Sequence, residues 1–135
     1  SGLRYTRYVD DMCFSGGEIK KHTLDEIEKI VSSEGFRTNK SKTHLHAPRS
    51  NLKLVTGVNV ALGKMSLPKS YKRAISTDLF HIEKYGLRSH LAKRKIRDPN
   101  YIEALVGKVG YWLFIEPENK RAQHYKQVLA QFVNI

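Results

Sequence analysis

An α+β fold is what the sequence predicts: a β-hairpin and helix, then short strands, then a helical region. Three observations carry this expectation. Runs rich in Tyr, Val, Thr and Phe flank an Asp10-Asp11 pair near the start. A helix-start signature with an apolar stripe follows at Thr23. Beyond Pro68 the apolar residues recur every three or four positions to the end of the chain.

Leu3 to Asp10 and Asp11 to Ser15 read as two short strands, joined at the two aspartates and closed by Gly16-Gly17. Thr23-Leu24-Asp25-Glu26 reads as a capping box, in which the Thr hydroxyl and the Glu carboxylate satisfy free amides at a helix start. Leu24, Ile27, Ile30 and Val31 form the stripe of that helix, and Gly35 suits a left-handed stop. Candidate strands follow at Thr43 to Ala47, Leu52 to Val60 and Met65 to Leu67, punctuated by Pro48 and Gly63.

Pro68 can open a helix, since the amide it lacks is not needed there, and Tyr71, Ile75, Leu79 and Ile82 make one face before Gly86. Asp98 and Pro99 repeat the device as N-cap and first helical residue, ahead of Ile102, Leu105, Val106, Val109 and Leu113. Pro117 starts a last helix carrying Tyr125, Val128, Leu129 and Phe132. Two domains are therefore expected, residues 1–67 and 68–135.

The 24 Lys and Arg outweigh 13 Asp and Glu, for a formal net charge of +11, which favours a polyanionic partner, most simply nucleic acid. The excess is clustered: Lys84, Arg88, Lys93, Arg94, Lys95 and Arg97 occur with no acid after Lys84 until Asp98. A membrane is a poorer fit, because no Trp- or Phe-rich apolar face accompanies the cluster and no apolar run could span a bilayer. No secretory signal opens the chain, so a cytoplasmic location is expected. Cys13 is the sole cysteine, which rules out an internal disulfide and a cysteine-rich zinc site. It reads as a small strand residue.

Adjacent aspartates between apolar strand residues are a costly choice for a hairpin, because Asp is poor in strands and neighbouring carboxylates repel. A plain turn more often uses Asn-Gly or Asp-Gly. A divalent cation removes the repulsion, and Mg²⁺ prefers a few carboxylate oxygens completed by water and phosphate. His44 and His46 would share one face of a strand, but two imidazoles without a third ligand do not make a zinc site. Trp112, Tyr111 and Phe114 stand at helical spacing and read as packing residues. Gly107 and Gly110 inside the same helix would permit close approach of another helix or of a nucleic-acid backbone.

Tyr5-Thr6-Arg7-Tyr8-Val9-Asp10-Asp11, followed by Phe14-Ser15-Gly16, resembles motif C of reverse transcriptases, with flanks similar to the bacterial retron group. The resemblance implies that Asp10 coordinates metal directly, that Asp11 assists, and that Tyr8 packs near the primer terminus. Val9 departs from the Ala usual in retron enzymes. Gly35-Phe36 with Asn39, Lys42 and Thr43 resembles motif D, which would make Lys42 the lysine near the nucleotide phosphates that protonates pyrophosphate. Val55-Thr56-Gly57 resembles the retron element associated with recognising the enzyme's own structured RNA.

By this resemblance residues 1–67 are the C-terminal part of a polymerase palm and 68–135 a helical thumb; the clustered charge makes Lys93, Arg94, Lys95 and Arg97 the residues expected to grip nucleic acid. The implied function is RNA-directed DNA polymerisation, extending a DNA primer on an RNA template with deoxynucleoside triphosphates and two Mg²⁺ ions. Fingers, the rest of the palm and a third aspartate from motif A are expected upstream, so the chain alone is expected to be inactive. Rival readings are a group II intron or phage-defence reverse transcriptase, the latter with an antiviral role, or a non-catalytic basic RNA-binding domain.

Overall fold

The structure, a computed structural model, describes residues 2–47, 53–61 and 63–133. Its elements run β1 (Arg4–Tyr8), β2 (Asp11–Ser15), α1 (Lys21–Ser33), β3 (Lys53–Val55), β4 (Val58–Ala61) and β5 (Lys64–Ser66). Four helices follow, α2 (Lys69–Tyr85), α3 (Leu87–Arg94), α4 (Tyr101–Ile115) and α5 (Lys120–Ala130). The mixed α+β character expected from the sequence is present, with two small antiparallel sheets ordered β1-β2 and β3-β4-β5. The chain divides into two units, residues 1–56 and 57–135, and the expected boundary at 67/68 falls between β5 and α2.

In the first unit β1 pairs with β2 from Arg4↔Ser15 to Tyr8↔Asp11, which leaves Val9 and Asp10 as a two-residue turn. The strand break thus lies one residue earlier than expected, and Asp11 opens β2. Helix α1 starts at Lys21 with Lys20 as N-cap and no side-chain cap, so the capping box at Thr23 is not formed. The amides of Thr23 and Leu24 donate to the Lys20 carbonyl at 3.0 and 3.3 Å, so a backbone acceptor takes the Thr23 amide that the Glu26 carboxylate would have capped. The helix stops as expected at Gly35, with φ 81°. There the Gly35 N–H donates to Ser32 O and the Phe36 N–H to Val31 O, the Schellman pattern.

The stripe of α1 meets no core: Ile30 is 63% exposed, and no described residue of 1–56 is buried. Residues 43–47 form no strand. Asn39 organises this stretch instead, its Oδ1 accepting from the Ser41 N–H and its carbonyl from the Thr43 hydroxyl. Pro48 and Leu52 lie outside the described residues.

Among the described residues the buried side chains all belong to the second unit, where Val58, Leu67, Ile75, Leu79, Ile82, Leu105, Val109, Trp112, Ile115, Ala122, Tyr125 and Leu129 form one cluster. The period of α2 explains its share, since Ile75, Leu79 and Ile82 fall on one face of the helix. Helix α2 packs on α3, α4 and α5, and α4 packs on α5. Within this unit β4 pairs with β5 through Asn59↔Ser66, Val60↔Met65 and Ala61↔Lys64.

Three helix starts differ from expectation. Pro68 is the N-cap of α2 rather than its first residue. Helix α4 begins at Tyr101 with Asn100 as N-cap, because the Asp98 carboxylate is used in a local turn, accepting the Asn100 N–H at 2.9 Å. Helix α5 begins at Lys120, three residues past Pro117, where the Asn119 side chain caps the Ala122 N–H at 3.1 Å. Helix α3 is unexpected; its buried residue is His90, a polar side chain at a core position.

Candidate functional site

The two-residue turn at Val9-Asp10 holds Val9 at φ 52°, the left-handed region that a β-branched residue rarely adopts. Positive φ at the first central residue alone is the pattern of a type II′ turn, whose twist matches that of the paired strands. A tilted ring contact across the hairpin supports the register, with Tyr5 and Phe14 centroids 4.9 Å apart and 33° between planes. The result is a projecting tip: Tyr8 is 71% and Val9 77% exposed, and Asp10 and Asp11 are both exposed beside them.

Two accessible carboxylates on consecutive residues are hard oxygen donors of the kind Mg²⁺ takes, and they leave most of its octahedron to water and phosphate. Asp10 and Asp11 therefore fit one side of a magnesium site. Among the described residues no three His, Cys, Asp or Glu side chains cluster as a complete metal site. His44 and His46, in the irregular stretch after Asn39, have ring centroids 6.4 Å apart and no strand to align them.

The remaining expected site residues are spread over other elements. Lys42 is exposed on the Asn39 turn, where its N–H donates to the Asn39 carbonyl at 3.0 Å. Val55 ends β3, and Thr56 (φ 45°) with Gly57 (φ 83°) makes the turn into β4. Positive φ at both residues is the type I′ pattern, so Gly57 meets a backbone demand as well as any contact it makes. Lys93 and Arg94 end α3, Lys95 is its left-handed C-cap at φ 54°, and Arg97 follows in the loop. All four are exposed, but the Arg94 guanidinium is engaged by Asp78 at 2.6 Å. Their hydrogen bond raises the Arg94 pKa further. Arg94 thus ties α3 to α2.

The packing reading of Trp112 agrees with its burial at 2% exposure, whereas Phe114 is 77% exposed. Gly107 and Gly110 face open space. Cys13 is a free thiol in β2.

Two polar features were not legible beforehand. Glu116, the C-cap of α4, accepts from the Leu67 N–H (2.8 Å), Lys72 Nζ (2.9 Å) and Asn119 Nδ2 (2.8 Å). Burial alone would raise its pKa, yet the bonds from Lys72, Leu67 and Asn119 hold it below the usual carboxylate value. His90 Nε2 lies 2.8 Å from the Tyr101 hydroxyl with the rings stacked. Burial lowers the His90 pKa, and burial with the nearby Asp78 charge pushes Tyr101 up to about 12. A third feature, the Phe80-Lys84 pair of α2, was detectable from its i, i+4 spacing: Lys84 Nζ lies 5.4 Å from the Phe80 ring centre and 5.3 Å from that of Tyr85.

Comparison with characterised proteins finds this chain similar to reverse transcriptases. Its relatives are of the retron kind. The chain is 36% identical over 83 residues to the retron Ec86 reverse transcriptase of Escherichia coli, a match covering 60% of this chain and 26% of that protein. It is 38% identical over 63 residues to the retron Mx65 reverse transcriptase of Myxococcus xanthus, covering 44% and 14%. Identity to the retron Mx162 reverse transcriptase of the same organism is 24% over 133 residues, covering 90% and 27%. The matches span at most about a quarter of the length of these relatives. No protein-family model matches the chain. No solved structure matches it significantly.

Proposed function

We propose that the chain supplies the Tyr-x-Asp-Asp turn and the thumb of a retron-type RNA-directed DNA polymerase. In this reading residues 1–67 are palm and 68–135 thumb, and the complete enzyme extends a DNA primer on an RNA template with deoxynucleoside triphosphates. One observation carries the reading: a hairpin tip exposing Asp10 and Asp11, in a chain whose relatives are retron reverse transcriptases.

Two bound Mg²⁺ ions would lower the pKa of the primer hydroxyl and neutralise the leaving pyrophosphate. Asp10 and Asp11 supply carboxylates at the tip, where neither is walled off from a primer end. Tyr8, exposed at the end of β1, would pack on the primer terminus. Lys42 would stand at the nucleotide phosphates as a proton donor. Val55, Thr56 and Gly57 would contact a structured RNA, while Lys93, Lys95 and Arg97 take phosphates and Arg94 orders the surface that carries them.

In a complete enzyme bearing this segment, Asp10→Asn removes charge and keeps volume. It should abolish primer extension while leaving folding and nucleic-acid binding nearly intact; extension at a rate close to wild type would overturn the assignment. The 135 residues alone should extend no primer, because the carboxylates of one turn cannot surround two octahedral ions.

A further inference from the structure

Helix α2 shows one face to the core and another that is basic and aromatic. At 3.6 residues per turn, Lys69, Arg73, Thr77, Phe80 and Lys84 fall within an arc of about 80°, on the side away from Ile75, Leu79 and Ile82. All five are exposed, Phe80 at 51%. Two acids near this helix are held in ion pairs, Asp78 by Arg94 and Glu116 by Lys72, and Glu83 is hydrogen-bonded to His124 at 3.0 Å. Among the described residues, Lys69, Arg73 and Lys84 make no ion pair. The stripe is therefore positive along its length, with an apolar ring set into it.

We propose that this stripe of α2 binds single-stranded nucleic acid, with Phe80 stacking on an unpaired base and Lys69 and Arg73 meeting its phosphates. The partner class rests on the nucleic-acid reading above; the surface and the strandedness are new. Charge complementarity selects a polyanion, and the ring selects among polyanions. A duplex hides the faces of its bases, whereas an unpaired strand offers a π-face to every exposed aromatic. Lys84 strengthens the platform, since its ammonium near the Phe80 and Tyr85 rings places positive charge beside the stacking surface. From Lys69 to Lys84 the stripe is about 22 Å long, roughly the length of six phosphates in a stacked strand.

The test is fluorescence anisotropy of the full chain with a labelled 12-nucleotide RNA, presented as a single strand and as a duplex. Phe80→Ala should weaken single-strand binding by about 5- to 160-fold, the range for losing one stacked base, and leave duplex binding within about twofold. Lys69→Gln with Arg73→Gln should flatten the log-log salt dependence by about 1.4 on the single strand. Thermal melting followed by the fluorescence of Trp112 checks that each variant is folded. Equal losses on both forms, or no loss in folded Phe80→Ala, would overturn the stripe alone. Wild-type chain that binds neither form would overturn the stripe and the nucleic-acid partner together. A poly-glutamate peptide that displaces RNA from wild type but not from Phe80→Ala would assign the ring to an acidic protein surface and overturn the proposal.

Discussion

Replacing Glu116 should unfasten the helical unit at the point where two chain reversals meet. Its carboxylate is 14% exposed and receives three hydrogen bonds, from the N–H of Leu67, from Lys72 and from Asn119. Glu116→Ala strands the amide of Leu67, a residue 2% exposed, and unpairs the Lys72 ammonium, 25% exposed. An orphaned buried amide costs about 1 to 3 kcal/mol, and a lost charge-assisted bond about 1.5 to 3 before discounting for the water Lys72 retains. A total near 3 kcal/mol is expected, and at roughly 4 to 8 °C per kcal/mol the melting midpoint should fall by about 12 to 24 °C. Glu116→Gln keeps an acceptor for the amide and should cost about 1 kcal/mol. Trp112, the only tryptophan and a core residue, reports the transition by fluorescence. Because the folded pKa of Glu116 lies below the reference of 4.5, its contribution is complete above that value and is lost as pH falls toward the folded one. The gap between wild type and Glu116→Gln should therefore close on acidification from pH 7 to 3. A gap that stays constant, or Glu116→Ala within about 0.5 kcal/mol of wild type, would refute this account.

Four further outcomes are expected. Burial lowers the His90 pKa below 6.5, so the neutral form is favoured in the fold and stability should decline as pH drops below 6.5; urea titrations at pH 7 and 5.5 should show this, and His90→Gln should weaken the dependence. Val9→Asn should stabilise the hairpin by about 1 kcal/mol, since Asn tolerates the left-handed region, and slow the hydrogen exchange of its amides. Changing Lys93, Lys95 and Arg97 together to Gln should lower the log-log salt slope of RNA binding by about 2 to 3. Arg94→Gln should instead lower the melting midpoint, because its Asp78 partner loses its ion pair.

What the sequence revealed follows from the range of the interactions involved. The faces of α2 and α4 were readable because burial of Ile75, Leu79, Ile82, Leu105 and Val109 imposes its period on neighbouring residues. Gly35 and Gly86 were readable because positive φ favours glycine. Starts were less secure: Thr23, Asp98 and Pro117 all signal a cap, but each competes with a nearby backbone or side-chain acceptor differing by only about 1 kcal/mol. Helix α3 escaped because His90, not an aliphatic residue, fills its core position. Glu116 gave no local sign, since Leu67 and Lys72 lie more than forty residues away. The Asp10-Asp11 tip was visible in the sequence because the hairpin that exposes it is made within twelve consecutive residues.

The absence of buried side chains among the described residues of 1–56 bears on how substitutions there are to be interpreted. In most proteins intolerance at an apolar position points first to packing. Here a saturation library would divide differently: exposed Ile30 and Phe36 have no internal core to disturb. Selection against polar replacements at these two positions would therefore register what the segment meets beyond itself, turning a mutational map into a map of its contacts.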